Sequence, residues 1–347
     1  MISKRALAQA VAAALLFGAA TPAGKLLLEG IEPTRLAGWL YLGAALGVLP
    51  LVVRRGRWRS REAASRRDWC RLAGAIGCGG VLAPIALLTS LEQAPAGSVS
   101  LWLNLELVAT AVLGRLVFRD PLGRAGWIGA AGVLAASILT ALDPGGGGIG
   151  AVALVTVACV AWGFDNHWTA LIASWTPAET TFWKGLTAGA VNLGLAGIAA
   201  VPSAAPHVAA TALLVGSVSY GASIALYIGS AQALGATRAQ IVFSTAPFFG
   251  AVLSWLVLGE PVASSQILGV GLIGFSLMLL FRDVHAHTHR HEAIEHEHWH
   301  RHDDDHHEHA HDGAPPEQGH SHPHRHAAIV HRHAHWHDLH HRHRHEP

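Results

Sequence analysis

Of the chain's 26 histidines, 24 follow Arg282, in six groups of four. Four groups alternate strictly: His285, His287, His289 and His291; His296, His298, His300 and His302; His320, His322, His324 and His326; His331, His333, His335 and His337. The remaining two begin with a pair: His306, His307, His309 and His311, and the group opening at His340-His341. In an extended chain, alternation sets four imidazoles on one side about 7 Å apart, and a flexible chain can fold two or more around one ion. Imidazole nitrogen suits Zn, Ni, Co and Cu, and Asp303, Asp304 and Asp305 could add carboxylate ligands. The expected chemistry is divalent-metal binding by this tail, with no cofactor required elsewhere. Imidazoles also titrate near neutral pH, so pH sensing is another use of the same residues. A low-complexity tail that binds metal without consequence is the structural alternative.

A second set of reactive groups sits in apolar sequence, where each unpaired ionisable side chain is a functional candidate: Glu106, Asp165, His167 and Lys184. Helical spacing places Trp102, Glu106 and Thr110 on one face, an aromatic wall with a carboxyl beside it. A carboxyl so placed suits reversible protonation in a proton-coupled carrier; the alternative is a protonated Glu bonded across helices as structural glue. Asp165 shares a face with Trp162, Asn166 and Thr169. Asp165 and Lys184 fall at similar depth and are expected as a structural ion pair, or as a switch in which a substrate carboxylate takes Lys184. His167 projects to the other side and reads as packing. Ser217, Tyr220, Ser223, Tyr227 and Ser230 step by three and four along one segment, and Gln240 and Ser244 precede Pro247. Pro22, Pro84 and Pro247 each remove a backbone donor, which at membrane depth is tolerated beside protein or a water-filled cavity. The expected pathway residues are thus Trp102, Glu106, Trp162, Asp165, Asn166, Lys184, Tyr220, Ser223, Tyr227, Gln240 and Ser244. No nucleophile, phosphate loop or catalytic metal motif is present, so an enzyme is not expected.

The elements that carry these residues follow from composition. The chain has 347 residues, 51% hydrophobic and only 14% charged, whereas a soluble domain carries about a quarter charged residues. Met1 to Arg282 holds 18 basic and 11 acidic residues, a formal +7; Asp283 to Pro347 holds 6 and 12, a formal −6, which together give the chain's +1. Ten apolar runs near bilayer length lie close to 6–28, 36–53, 72–91, 97–117, 125–142, 150–172, 179–200, 209–233, 238–258 and 264–281. Cys70, Cys78 and Cys159 form no disulfide or metal framework. The expected fold is an all-α integral membrane protein of ten transmembrane helices with a disordered, charged tail.

The body also repeats itself. Phe17-Gly18 matches Trp162-Gly163, Pro33 and Trp39 match Pro177 and Trp183, Gln93-Ala94 matches Gln232-Ala233, and Arg119-Asp120-Pro121 with Gly129 matches Gly259-Glu260-Pro261 with Gly269. The organisation expected is 1–142 and 143–282 as five-helix repeats, with 283–347 as the tail; the first apolar run recurs at the sixth, so it is a span rather than a signal peptide. Five spans per copy invert the second copy. Arg54, Arg55, Arg57, Arg59, Arg61, Arg66, Arg67 and Arg71 follow the second run, and Arg115, Arg119 and Arg124 flank the turn after the fourth; their repeat partners carry none. Both asymmetries put the N-terminus and tail in the cytoplasm of a cytoplasmic-membrane protein, against which only Lys25 and Arg35 stand. Topology accounts for the arginines, so nucleic acid is not an expected partner; lipid, a small-molecule substrate and divalent metal ions are, and a homo-oligomer is permitted.

The paired aromatic-Gly motifs, the Leu258-Gly259-Glu260-Pro261 turn echoed by Arg119-Asp120-Pro121, and the five-plus-five layout resemble the EamA-type members of the drug/metabolite transporter superfamily, over about residues 6–281. The first copy departs with Phe for Trp and Asp for Glu. The resemblance implies a secondary carrier, often an exporter of amino acids or other small metabolites, drug-like ones included. Divalent-metal or metal-chelate efflux is the competing expectation, and a metal sensor without transport a third.

Overall fold

A computed structural model describes residues 4–54, 64–118, 123–142 and 147–279, and the backbone alone of 280–282, 286–291, 294–300, 320–326 and 329–334. The body is helical. In chain order the helices are α1 (Lys4–Leu27), α2 (Pro33–Arg54), α3 (Arg66–Gln93), α4 (Ala96–Phe118), α5 (Arg124–Ala141) and α6 (Gly148–Ala170). They continue as α7 (Pro177–Ile198), α8 (Pro206–Leu234), α9 (Ala236–Val257) and α10 (Ser264–Arg282). At 1.5 Å per residue, 18 to 29 residues reach about 27–43 Å, enough for a hydrocarbon core of about 30 Å.

Among the described residues, eight of these helices are long and apolar enough to cross a membrane; α7, which carries Glu179 and Lys184, and α10 stand outside that group. A multi-pass helical membrane protein follows, with eight such helices where ten spans were expected.

Local chemistry sets several helix starts. Thr176 and Glu179 form a reciprocal capping box at α7: the Thr176 amide donates to Glu179 Oε2 at 2.8 Å, and the Glu179 amide to Thr176 Oγ1 at 3.3 Å, satisfying two otherwise orphaned donors. Ser65 caps α3 by accepting from the Asp68 amide at 3.1 Å. α2 lies between α7 and α8, at backbone contact with both. A Cβ at Gly185 would stand 2.7 Å from the Tyr41 carbonyl oxygen, and one at Gly47 2.6 Å from that of Ser217; small residues permit this approach where no hydrophobic force drives helices together.

Five helices are interrupted within their length, α1 by a turn at Ala19. α3 widens to π-helix at Ile76–Leu82 and α8 at Gly216–Ala222; α4 turns at Leu103 and Asn104, and α9 at Ser244 and Thr245. In α3, Pro84 cannot donate to the carbonyl four residues earlier. That carbonyl, Gly80 O, instead accepts from Asn192 Nδ2 at 3.0 Å. Gly79 O accepts from Trp162 Nε1 at 3.1 Å and from the Tyr41 hydroxyl. Three neighbouring helices therefore re-satisfy the widened turn, as a nonpolar medium requires.

Parts of the tail are described as well. Four short strands are described, β1 (Ala286–His291), β2 (Ile294–His300), β3 (His320–His326) and β4 (Ile329–Ala334). β1 pairs antiparallel with β4 and β2 with β3. The alternation of histidine with other residues is itself a period of two, the strand's own repeat. His285, His302, His306, His307, His309, His311, His335, His337 and Asp303 to Asp305 lie outside the described residues, as do Arg119-Asp120-Pro121 and Arg55, Arg57, Arg59 and Arg61.

Candidate functional site

Seven helices line a cavity at mid-bundle. α6 supplies Trp162, Asp165, Asn166 and Thr169; α4 supplies Glu106, and α7 Lys184. α8 contributes Tyr220, Ser223 and Tyr227, and Phe17, Tyr41 and Phe243 complete the wall from α1, α2 and α9. The empty space amounts to about 470 Å³, solvent at its open side included.

Two polar clusters face this space. In the first, Asn166 Nδ2 donates to Glu106 Oε1 at 2.8 Å and stands 3.2 Å from Thr110 Oγ1 and 3.3 Å from Gln240 Oε1. One amide nitrogen has two hydrogens for three acceptors, so the cluster shares rather than saturates its bonds. Glu106 is the second residue of the Leu105–Leu113 segment that follows the α4 turn, and its side chain meets α6 at Asn166.

In the second cluster Lys184 Nζ pairs with Asp165 Oδ2, both side chains being almost wholly buried, at 3% and 7% exposure. Gly79 makes room: a Cβ there would collide with the Asp165 carboxylate. Among the described residues, Asp165 Oδ1 and the Tyr227 hydroxyl have no hydrogen-bond partner. Both belong to residues lining the cavity.

The aromatic wall is continuous. Phe17 contacts Trp162, Tyr220 and Phe243 with ring centroids at 6.1, 5.7 and 5.3 Å. Tyr41 meets Tyr220 at 5.5 Å, and Tyr227 meets Phe243 at 5.0 Å.

Of the residues expected from sequence, Glu106, Trp162, Asp165, Asn166, Lys184, Tyr220, Ser223 and Tyr227 come together here. Gln240 joins through Asn166. Ser244 is turned onto its own helix, its hydroxyl donating to Ile241 O at 2.6 Å. Trp102 points elsewhere: its indole donates to Thr140 Oγ1 of α5 at 2.9 Å, because the turn at Leu103 and Asn104 breaks the spacing that would align it with Glu106. His167 packs 4.2 Å from Phe118, ring to ring. Phe17, Tyr41 and Phe243 were not expected in the site. For Tyr41 a signal existed: the chain has three tyrosines, and all three line the cavity.

Hydrogen bonds tie helices together at both ends of the bundle. At one end Ser174 Oγ donates to Asp68, Arg71 Nη1 bonds Asp68 Oδ1 and Leu171 O, each at 2.8 Å, and Gln232 Nε2 donates to Ile172 O at 2.9 Å. At the other, Glu260 accepts from the Ala96 and Gly97 amides at 2.6 and 2.8 Å, an anion on the positive pole of α4. Lys25 donates to Leu91 O and Ala94 O on the negative pole of α3, and Arg35 to Val201 O at 2.6 Å.

Comparison with known proteins agrees with this architecture. The profile of the EamA-like transporter family matches residues 4–142 and again 149–282. An uncharacterized transporter of Methanothermobacter thermautotrophicus is 24% identical over 281 residues, covering 74% of this chain and 80% of the relative. A solved crystal structure superposes with a TM-score of 0.62 over 79% of this chain and 95% of its own, at 18% identity, which speaks to the fold alone. With both family matches spanning the helical body, the chain belongs to the EamA-like transporter family, membrane transporters of the drug/metabolite transporter superfamily.

Proposed function

We propose that this protein is a secondary active carrier that exports a small polar or amphipathic metabolite across the cytoplasmic membrane by alternating access, with Glu106 exchanging a proton during the cycle. The observation that supports it is the placement of Glu106 at a helix interruption on a central cavity, hydrogen-bonded by Asn166 and opposite a buried ion pair. Ten crossings in two inverted five-helix halves, with the N-terminus and tail in the cytoplasm, complete the reading. The tail in this scheme binds Zn, Ni, Co or Cu and reports metal load to the carrier. Divalent-metal efflux is the second reading; among the described residues no group of three or more His, Cys, Asp and Glu side chains is placed to hold an ion.

The test compares cells expressing the full chain, a version ending at Arg282, and Glu106→Gln. Culture supernatants are profiled for small molecules, and cell Zn, Ni and Co are measured after metal challenge. A compound that accumulates outside only with functional Glu106 supports the carrier. Lowered cell metal that depends on Glu106 instead puts metal efflux first, and no Glu106-dependent change in either measurement sinks both.

A further inference from the structure

We infer that the cavity selects a monocationic organic amine and holds it in exchange for one proton. This deepens the reading of the cavity as the substrate site and rests on it.

Charge carries the inference. Among the described lining residues, the charged groups are Glu106, Asp165 and Lys184. With Glu106 ionised they sum to −1; with Glu106 protonated, to zero. A net charge in a buried, low-dielectric space is expensive unless compensated, so the cavity is stable with either a proton on Glu106 or a cation beside it. An anion fares worse. Lys184 is already committed to Asp165, and drawing it away leaves two uncompensated carboxylates.

The walls fit the same ligand. Six aromatic rings form a connected surface with neighbouring centroids 5.0 to 6.1 Å apart, and ring faces attract ammonium groups at about 6 Å or less. Among the described lining residues, two buried oxygens have no hydrogen-bond partner, Asp165 Oδ1 and the Tyr227 hydroxyl; both can accept from an ammonium, which has several hydrogens to give. Groups facing Glu106 that bear on its proton exchange are Asp165 and Cys159 from α6, Lys184 from α7, Tyr227 from α8 and Tyr41 from α2. Lys184 is the sole cation among these, and it is paired.

The experiment uses purified full-length protein in nanodiscs and three ligands that share a phenyl ring and differ in charge: phenethylamine, phenylalanine and phenylacetate. Binding is followed by calorimetry, and proton release by a pH dye in weak buffer. Phenethylamine is expected to bind at least about thirtyfold more tightly than the other two and to release about one proton. Its affinity should rise about tenfold per pH unit while Glu106 is protonated in the free protein. Glu106→Gln abolishes the release and Glu106→Asp keeps it. Tyr227→Phe keeps the aromatic face and most of the affinity, whereas Tyr227→Leu loses about tenfold. Preference for phenylalanine or phenylacetate overturns the cation inference and leaves the carrier reading intact. Failure of phenethylamine to bind, or binding without proton release, overturns it as well; the supernatant comparison decides separately whether the carrier reading falls.

Discussion

Breaking the Lys184–Asp165 pair from one side should be far more damaging than removing it whole. Both side chains are buried, at 3% and 7% exposure, and among the described residues neither side chain makes another hydrogen bond. Lys184→Met therefore strands a carboxylate, and Asp165→Leu an ammonium, each losing about 3–5 kcal/mol. The double variant replaces the pair with apolar groups and is expected to be neutral or more stable than wild type. The coupling energy is then about 6 kcal/mol or more. Reversible unfolding in mixed micelles, read by the fluorescence of the chain's 12 tryptophans, measures all four corners of the cycle. pH provides a signed check: in Lys184→Met the loss shrinks toward acid, since a protonated Asp165 no longer needs the ammonium. Single losses that add to within about 0.5 kcal/mol, with no pH trend, would refute the pairing and the charge balance built on it.

Three further outcomes can be checked. Gly79→Ala pushes the Asp165 carboxylate from its place and should destabilise by about 1–3 kcal/mol, with most of that loss absent when Asp165 is already Ala; a full loss in that background would contradict the contact. Trp102→Phe removes the buried bond to Thr140 and should lower stability by about 1–3 kcal/mol while leaving ligand binding unchanged; a large effect on binding would return Trp102 to the cavity. Glu260→Gln withdraws the anion from the Ala96 and Gly97 amides, and a thiol introduced at Ser98 should then react faster with maleimide, an unchanged rate arguing that Glu260 does not hold that end shut.

The helical body could be read from the chain because each span is a long apolar run interrupted by turn residues, and the charged members of the site because an ionisable group in such a run is conspicuous. Glu106, Asp165 and Lys184 announced themselves in this way. Phe17 and Phe243 did not, since a phenylalanine in an apolar helix looks the same whether it faces lipid, protein or a cavity; only the assembled bundle picks these two out. Trp102 failed for another reason. Helical spacing assigns a face only while the helix is continuous, and two turn residues, Leu103 and Asn104, separate Trp102 from Glu106. Pro84 pointed correctly to a local break, but the π-widening and its three side-chain donors depend on contacts 38 or more positions away in the sequence, which no local pattern encodes.

Those breaks also bear on how the proposed carrier could move. Hydrogen bonds to charged groups contribute about 1.5–3 kcal/mol when well buried and less where water competes, so each set of closing bonds amounts to a few kcal/mol. A ligand with a differential affinity of the same size suffices to favour opening at one end over the other. The second end concentrates its closure in charges placed on helix poles, Glu260 on α4 and Lys25 on α3, which belong to the same hairpin. Because α3 and α4 are also interrupted at Ile76–Leu82 and at Leu103–Asn104, the part of that hairpin beyond the breaks can tilt while the part carrying Glu106 keeps its contact with Asn166. For the proposed carrier, release of the clasp and retention of a proton on Glu106 are thereby separable within one pair of helices.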